Sequence, residues 1–227
     1  MSTKKGKLIV IEGLDGTGKS TQFRITVDKL TEAGENIKGI SFPDYKKQSS
    51  ALIKMYLNGE FGNKPEDVNA YAASSFYAVD RYASFKKYWQ QEYLTGSVIL
   101  CDRYTTSNAI HQMSKINKEN WDEYLTWLED YEYKKLELPE PCLVIYLNMP
   151  DKISSELLSK RYKGDESKKD LHEKDLEYMK KCRESAEYAG KRWNWKIINC
   201  ANESGLLPIE DINKKILKQI EEVISLI

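Results

Sequence analysis

A glycine-rich stretch that carries a lysine and a hydroxyl side chain, GLDGTGKS at residues 13–20, lies close to the start of the chain. It fits the pattern GxxxxGK[ST] without a mismatch and directly follows the strand-like run KLIVIE. Glycines let the backbone bend so that several N–H groups point at one anion, and the lysine adds a full positive charge. A helix that begins here adds the positive end of its dipole. The stretch therefore predicts a site for the phosphates of a nucleotide.

Two side chains of this stretch have specific expected roles. Lys19 is expected near the β- and γ-phosphates, and the Ser20 hydroxyl is expected to be a ligand for Mg²⁺, which bridges the same two phosphates. The predicted nucleotide-binding residues are Gly13, Leu14, Asp15, Gly16, Thr17, Gly18, Lys19, Ser20 and Thr21.

The tripeptide Asp102-Arg103-Tyr104 stands where a third strand is predicted to end. In an open α/β sheet, ligands bind outside the carboxyl ends of the strands, so we expect this tripeptide beside the glycine-rich loop. Asp102 could hold Mg²⁺ through water, and the planar guanidinium of Arg103 could clamp a phosphoryl group. The alternative interpretation is an Asp–Arg ion pair on the surface.

A predicted helix over SSFYAVDRYASF, residues 74–85, carries Arg81 one turn after Tyr77, so the two side chains share a face. This pair suits a nucleoside monophosphate, because the guanidinium can bind phosphate while the aromatic ring stacks on a base. The same spacing also fits an aromatic core stripe beside a solvated arginine.

Other classes of nucleotide-binding protein lack support in this chain. A GTPase needs an Asn-Lys-x-Asp base reader, and the nearest stretch, NKEN at 117–120, has no Asp at the required position. A GTPase also needs an Asp-x-x-Gly switch, which occurs here only inside the glycine-rich stretch itself. A motor-type or AAA-type ATPase would have a strand ending in paired acids, whereas the third strand here ends in CDRY.

Short β-branched runs alternate with amphipathic segments along the chain. Strands are predicted at 7–12, 37–42, 97–102, 142–148 and 195–200. Helices are predicted at about 19–33, 48–58, 66–94, 104–135 with a break, 151–163, 171–192 and 208–226. Most strand candidates are nearly continuous apolar runs, as expected for parallel strands covered on both faces. The pattern predicts one domain, 1–227, with a three-layer α/β fold and a parallel sheet.

The composition is that of an ordinary globular protein. Lys plus Arg balances Asp plus Glu at 35 each, which gives no electrostatic reason to expect nucleic acid or a membrane surface as a partner. The first apolar run stops at Glu12, too early for a signal-peptide core or a membrane span. The four cysteines form no CxxC pair, as expected in a reducing compartment. We therefore expect a cytoplasmic enzyme.

Four stretches together resemble one family. EGLDGTGKST, FPDY, YAVDR and DRYTTSNAIHQ follow in the order, and at the separations, seen in thymidylate (dTMP) kinases, which belong to the P-loop nucleoside monophosphate kinases. The resemblance covers nearly the whole chain. It implies a P-loop NTPase fold with a five-stranded parallel sheet flanked by helices. It also implies a homodimer that transfers the γ-phosphate of Mg²⁺-bound ATP to dTMP, giving dTDP and ADP.

The resemblance implies roles for the residues that match the motifs of the family. Asp15 resembles the carboxylate that meets the 3′-hydroxyl of the acceptor, and Asn108 and Gln112 resemble the pair that reads the thymine edge. Arg81 would bind the base carbonyl or the acceptor phosphate, and Arg103 the phosphoryl region. The residues expected to bind the acceptor are Phe42, Pro43, Tyr45, Tyr77, Arg81, Arg103, Asn108 and Gln112.

Four positions depart from the pattern of the family. The stretch FPDYKK offers Lys46 and Lys47 where relatives often carry an arginine, and position 16 is glycine where one branch of the family places a catalytic arginine. His111 replaces a common tyrosine that crowds the 2′ position of the sugar, and Tyr77 replaces a phenylalanine. Some other charge is therefore expected to close over the γ-phosphate.

The polar stretch SKRYKGDESKK is the expected source of that charge, as a lid at about 158–172. Lys160, Arg161 and Lys163 are the candidates, and Arg161 is the first choice. The alternative is a plain solvated run of charges. The predicted catalytic residues are then Asp15, Lys19, Arg103 and Arg161.

Two other functions stay open on the sequence alone. One is a kinase of the same fold that acts on another nucleotide or on a deoxynucleoside, because base choice rests on a few hydrogen bonds. The other is a nucleotide-binding module without turnover. The presence of Asp15, Lys19, Ser20, Arg81 and Arg103 argues against such a module, which would have little use for all five.

Overall fold

Five parallel strands form the central sheet of the computed structural model, which describes residues 5–162 and 176–224. The strands are β1 (Lys7–Glu12), β2 (Ile37–Ser41), β3 (Val98–Asp102), β4 (Leu143–Asn148) and β5 (Lys196–Asn199). The sheet order is β2-β3-β1-β4-β5, and all neighbours are parallel. The predicted five-stranded α/β fold is confirmed. Each strand begins and ends within one residue of its predicted bounds, because continuous apolar runs mark fully buried strands well.

Helices surround the sheet. They are α1 (Lys19–Glu32), α2 (Ala51–Leu57), α3 (Ala70–Ser84), α4 (Gln90–Leu94), α5 (Thr106–His111), α6 (Trp121–Glu129), α7 (Asp151–Tyr162), α8 (Leu176–Arg192) and α9 (Ile209–Ile224). Two π-helical segments, Phe85–Trp89 and Asp130–Lys135, extend α3 and α6. A short hairpin of β6 (Ala201–Asn202) and β7 (Gly205–Leu206) was not expected from the sequence.

The predicted lid falls largely outside the described residues. Residues 163–175 belong to that part of the chain, and so does the side chain of Arg161, although α7 itself extends to Tyr162. Lys163 is therefore also outside it, and Lys160 is exposed near the end of α7. The lid and the role of Arg161 stay predictions.

The alternating side chains of β1 pack into two different layers. Ile9 and Ile11 lie in a cluster with residues of α1 and α9, whereas Leu8 and Val10 lie in a cluster with Phe85 and the π-helical segment that follows α3. All four β1 side chains are at most 1% exposed. Because strand side chains point alternately to opposite faces, this division shows that helices cover both faces of the sheet.

A third cluster positions the inner face of α5. It joins α5, α6 and α8 around side chains that are almost fully buried, among them Leu125, Leu128, Tyr178 and Cys182. Since α5 directly follows the carboxyl end of β3, this packing holds its polar residues at the same edge of the sheet as the glycine-rich loop.

Two features of the fold relate to the composition: the length and apolarity of the helices, and the state of the cysteines. Among the described residues, no helix is both long and apolar enough to cross a membrane. All four cysteines are free thiols, and three of them are buried, while Cys142 is exposed and donates to the carbonyl oxygen of Leu8 at 3.2 Å.

Candidate active site

The glycine-rich loop connects β1, the central strand, to α1. Gly16 and Gly18 have φ angles of 79° and 81°, a left-handed conformation that residues with a Cβ rarely adopt. Gly18 is the N-cap residue of α1, and a glycine has no side chain that could cap the helix. The first amides of this 14-residue helix thus receive no cap from the side chain of their N-cap residue. Such amides, with the helix dipole, bind anions.

Lys19 is buried against the loop that it follows. Its side chain is 6% exposed, and its Nζ donates to the carbonyl oxygen of Leu14 at 2.7 Å and lies 3.8 Å from Asp15 Oδ1. Burial, and after it the positive charge of Arg103, lowers the pKa of Lys19 to about 8. A phosphate group here would stabilise the charged form of the amine.

Ser20 and Asp102 meet where β1 and β3 end side by side. Ile11 of β1 pairs in register with Asp102 of β3, and the Ser20 hydroxyl donates to Asp102 Oδ2 at 2.9 Å. A hydroxyl and a carboxylate are hard oxygen donors of the kind that Mg²⁺ binds together with substrate phosphates. The described residues contain no cluster of three or more His, Cys, Asp or Glu side chains suited to a metal. The pair therefore fits an ion that takes its remaining ligands from phosphate and water.

Arg103 has a left-handed backbone with φ 67°, which is uncommon for a residue with a side chain. Such a conformation costs about 1 kcal/mol or more and clusters at functional sites. Its guanidinium forms an ion pair with Asp15, donates to Ser107 Oγ at 3.4 Å and lies 3.1 Å from His111 Nε2. Arg103 therefore connects the glycine-rich loop to α5.

One cavity of about 780 Å³ joins the glycine-rich loop to the residues predicted for the acceptor. Its lining includes Asp15, Lys19, Ser20 and Asp102 at the loop. All eight residues expected to bind the acceptor also line it: Phe42, Pro43, Tyr45, Tyr77, Arg81, Arg103, Asn108 and Gln112. The structure thus brings together residues that are up to about a hundred positions apart in sequence. Lys46 and Lys47, which stand where relatives often carry an arginine, are not among the lining residues.

Glu132 is a site residue that the sequence analysis missed. It is fully buried, and its two carboxylate oxygens bind Arg81, with 2.6 Å from Arg81 Nε to Glu132 Oε2. The same carboxylate accepts hydrogen bonds from Thr105 Oγ1 at 2.7 Å and Asn108 Nδ2 at 3.1 Å. It thereby fixes two of the predicted acceptor-binding side chains. The acidic run around it offered no signal, because only the π-helical segment brings Glu132 into the core.

Glu12 is a second residue that was missed as part of the site. It ends β1, is fully buried, and its Oε1 accepts hydrogen bonds from Thr106 Oγ1 at 2.7 Å and Ser107 Oγ at 2.8 Å. The Tyr104 amide donates to the same oxygen at 3.3 Å. A carboxylate at the end of an otherwise apolar strand was the available signal. Glu12 ties the end of β1 to the start of α5.

Gln112 carries a buried polar atom whose partner is missing among the described residues. The side chain is 1% exposed, and Oε1 has no hydrogen-bond donor within reach there. Buried polar groups are nearly always paired, so an unpaired one in a cavity marks a place where a ligand can bind. Gln112 thus keeps an acceptor oxygen for which the described residues supply no donor.

The absence of an arginine at position 16 has a steric reason in this fold. A Cβ on Gly16 would lie 2.4 Å from the carbonyl oxygen of Ser154 and 2.9 Å from Leu158 Cγ, both in α7. The backbone of α7 therefore packs directly on the loop. A side chain at position 16 would require α7 to move.

Comparisons with known proteins agree on one family. The thymidylate kinase family model matches residues 11–216. The chain is similar to the thymidylate kinase of Mycobacterium tuberculosis (strain CDC 1551 / Oshkosh), at 28% identity over 206 residues that cover 88% of this chain and 94% of that protein. It is similar to that of Plasmodium falciparum (isolate 3D7), at 27% identity over 97% of this chain and 92% of that protein. A solved thymidylate kinase from Candida albicans superposes with a TM-score of 0.70 at 25% identity, covering 97% and 93% of the two chains.

Proposed function

This chain belongs to the thymidylate kinase family, and we propose that its cavity is the site where the γ-phosphate of ATP is transferred to dTMP, giving dTDP and ADP. The chain is thus an ATP-dependent kinase. The observation that carries the proposal is the shared cavity: Lys19 and Ser20 of the phosphate loop and Asn108 and Gln112 of the acceptor side line the same space, with Arg103 between them.

The phosphate loop binds the donor. Phosphoryl transfer requires the attacking oxygen in line with the γ-phosphorus and positive charge over the equatorial oxygens, with little covalent help from protein groups. Lys19 and the first amides of α1 supply such charge on the donor side. The Lys19 ammonium exchanges its hydrogen bond to the Leu14 carbonyl for one to phosphate, which is the stronger acceptor because it is charged.

Arg103 and Asp15 act at the junction between donor and acceptor. Arg103 clamps the phosphoryl group that is being transferred, because its planar fork can bind two phosphate oxygens at once. Asp15, which pairs with Arg103 and lies beside Lys19, orients the sugar of the acceptor through its 3′-hydroxyl. With a charge network of this kind, the acceptor phosphate is held near the γ-phosphate before reaction.

The acceptor base binds between Tyr77 and the inner face of α5. Tyr77 lines the cavity one turn before Arg81, so its ring can stack on the base. Asn108 and Gln112 are separated by about one helical turn, and the unpaired Gln112 oxygen can accept a hydrogen bond from the base. Phe42, which is 4% exposed, and Pro43 close the pocket from the other side.

Mg²⁺ is the expected metal of this reaction, held by Ser20 and Asp102. When bound, it neutralises charge on the β- and γ-phosphates. The hydroxyl–carboxylate contact of 2.9 Å supports this assignment, because both oxygens already lie close enough together to share one ion or its water shell.

A coupled assay of ADP release tests the function. The purified chain is supplied with Mg²⁺ and ATP, and with dTMP, dUMP, UMP, dCMP, GMP or thymidine as the acceptor. We expect a strong preference for dTMP. The Candida albicans relative is described as having broad substrate specificity, so the ratio of dTMP to dUMP turnover is the informative number. Turnover with another acceptor would show a kinase whose base pocket recognises a different base. The absence of ADP release with every acceptor would overturn the proposed function.

We also propose that the active form is a homodimer. The outward face of α3 exposes Tyr71, Val79 and Tyr82 by 39%, 43% and 41%, and their spacing places them along one side of the helix. Light scattering after size exclusion would give twice the chain mass for the wild type. Val79→Glu should shift the mass toward one chain, and a wild type that is monomeric at micromolar concentration would contradict the proposal.

A further inference from the structure

His111 has both ring nitrogens engaged at the last residue of α5. Nε2 lies 3.1 Å from Arg103 NH1, and Nδ1 lies 3.6 Å from the sulfur of Cys182 in α8. The side chain is 7% exposed, and its backbone carbonyl accepts a hydrogen bond from the Tyr178 hydroxyl at 2.6 Å. The imidazole is thus held between α8 and the guanidinium that faces the cavity.

The chemistry of the two partners decides where the proton of the imidazole lies. A guanidinium has only donors and stays charged in proteins, so His111 Nε2 must be the acceptor. The single proton of the neutral ring is then on Nδ1, which points at Cys182. Burial raises the pKa of Cys182 to about 12, so the thiol is neutral. Its sulfur accepts from Nδ1–H, while its S–H donates to Ser114 Oγ at 3.5 Å.

We propose that His111, as the neutral Nδ1–H tautomer, is a positioning residue that holds Arg103 in place by accepting a hydrogen bond at Nε2. The effect of His111 on turnover rests on the proposed function, whereas the tautomer of His111 does not depend on it. Among the described residues, Arg103 has two other side-chain partners: it pairs with Asp15, which would also meet the acceptor, and its bond to Ser107 Oγ is long at 3.4 Å. The bond to His111 fixes the guanidinium when Asp15 engages substrate.

The surroundings of the ring make a second proton costly. Arg103 supplies a positive charge at 3.1 Å, and the nearby carboxylate, Asp15, is already paired with that arginine. On the side of α8 stand Cys182 and Tyr178, both uncharged because burial raises the pKa of each group. A proton on Nε2 would remove the acceptor and set two cations against each other.

Nitrogen NMR of the full-length protein tests the tautomer directly. The chain has two histidines, His111 and His172, so ¹⁵N-histidine labelling gives two sets of ring signals, and His172→Asn assigns them. Near pH 8 we expect His111 with a protonated Nδ1 and an unprotonated Nε2. A protonated Nε2, alone or together with Nδ1, is incompatible with a bond from Arg103 and would overturn the proposal.

Two substitutions test the positioning role. In His111→Gln the side-chain carbonyl can reach the position of Nε2 and accept from Arg103, whereas His111→Leu removes the acceptor. We expect His111→Leu to lower kcat about tenfold or more, as loss of a hydrogen bond to a charged group does. We expect a much smaller change in the KM for ATP.

His111→Gln should retain most of the wild-type kcat. Equal kcat values for the two folded variants would overturn the positioning role. A wild type without activity toward dTMP would instead refute the proposed function and leave the NMR result standing.

Discussion

Arg81 and Glu132 form a fully buried ion pair at the wall of the cavity. Glu132 Oε2 accepts from Arg81 Nε at 2.6 Å, and the second carboxylate oxygen accepts from Arg81 NH2. The Glu132 side chain is 0% exposed, and the Arg81 side chain is 2% exposed. Burial acts to lower the pKa of Arg81, but the charge and hydrogen bonds of the Glu132 carboxylate outweigh this effect, so the pKa of Arg81 is raised. Arg81 NH1 donates to the carbonyl oxygen of Tyr104 at 3.4 Å, so each of the three guanidinium nitrogens has an acceptor in the protein.

Glu132→Gln should strongly destabilise the protein. Removing one partner of a buried pair leaves an uncompensated charge and costs about 3–5 kcal/mol. Urea unfolding would measure the change. The matched control is Asp130→Asn in the same π-helical segment, whose pair with Lys135 is exposed and should contribute little to stability. Equal effects of the two substitutions would show that the buried pair does not stabilise the fold.

Lys19→Ala should reduce kcat by about a hundredfold or more while the protein stays folded. The substitution removes a positive charge aimed at the transferred phosphate, and groups of this kind contribute several kcal/mol to the transition state. Steady-state kinetics with saturating ATP and dTMP would measure it. Lys29→Ala is the control, because Lys29 lies on the same helix but pairs with Glu210 at 2.6 Å, and its kcat should equal that of the wild type. Near-normal turnover of Lys19→Ala would disprove the phosphate-binding role.

Gln112→Met should weaken acceptor binding and stabilise the protein. Removing a buried oxygen that lacks a donor should raise the free energy of unfolding by about 1 kcal/mol, and loss of the acceptor should raise the KM for dTMP about tenfold. The KM for ATP should change little.

Gln22→Met is the matched control for that experiment. Gln22 is also buried, but its Nε2 donates to Ile209 O at 2.9 Å and its Oε1 accepts from Asn213 Nδ2 at 3.1 Å. This substitution should destabilise by about 1–3 kcal/mol and leave the KM for dTMP unchanged. If Gln112→Met were as destabilising as Gln22→Met, the oxygen of Gln112 would have a partner after all.

Asp102→Asn should raise the concentration of Mg²⁺ that gives half-maximal activity. The amide carries no negative charge, so it holds the ion and its water shell less well. Kinetics across a series of free Mg²⁺ concentrations would show the shift, and EDTA should abolish activity until Mg²⁺ is restored. Asp44→Asn, which removes a carboxylate that is not among the cavity-lining residues, should leave the Mg²⁺ response as it is. An unchanged response in Asp102→Asn would exclude this residue from the metal site.

Lys115 should make stability depend on pH. Its Nζ donates to Tyr56 Oη at 2.7 Å and Val68 O at 3.1 Å, and burial lowers the pKa of Lys115 to about 7, against 10.5 for a free lysine. Between these values the unfolded chain binds more protons at this residue than the folded chain. The contribution of Lys115 to stability therefore rises with pH in this window.

Comparison with Lys115→Met isolates this effect. The free energy of unfolding of the wild type minus that of Lys115→Met should increase by roughly 2 kcal/mol between pH 7 and pH 9. The slope of this difference should reach at most about 1.4 kcal/mol per pH unit. Thermal or urea unfolding across this range measures the difference. A pH effect of the same size with Lys118→Met, whose side chain is 69% exposed, would contradict burial as the cause.

The amino-acid sequence by itself determined the features that depend on neighbouring residues. The loop at residues 13–20 could be predicted because its geometry follows from a contiguous run of glycines between a strand and a helix. The five strands could be placed because fully buried parallel strands are continuous apolar runs. Even the meeting of Asp102 with that loop followed from a general rule about the carboxyl ends of parallel strands.

Only the tertiary structure decided which distant side chains pair. Glu132 binds Arg81 across 51 residues, Cys182 contacts His111 across 71, and α7 closes the space beside Gly16. No local pattern encodes these contacts, because they depend on how helices with similar apolar stripes pack against one another and against the sheet. The sequence therefore predicted the glycine-rich loop and its strand-end partner, while long-range packing determined which charged side chains of the cavity pair with one another.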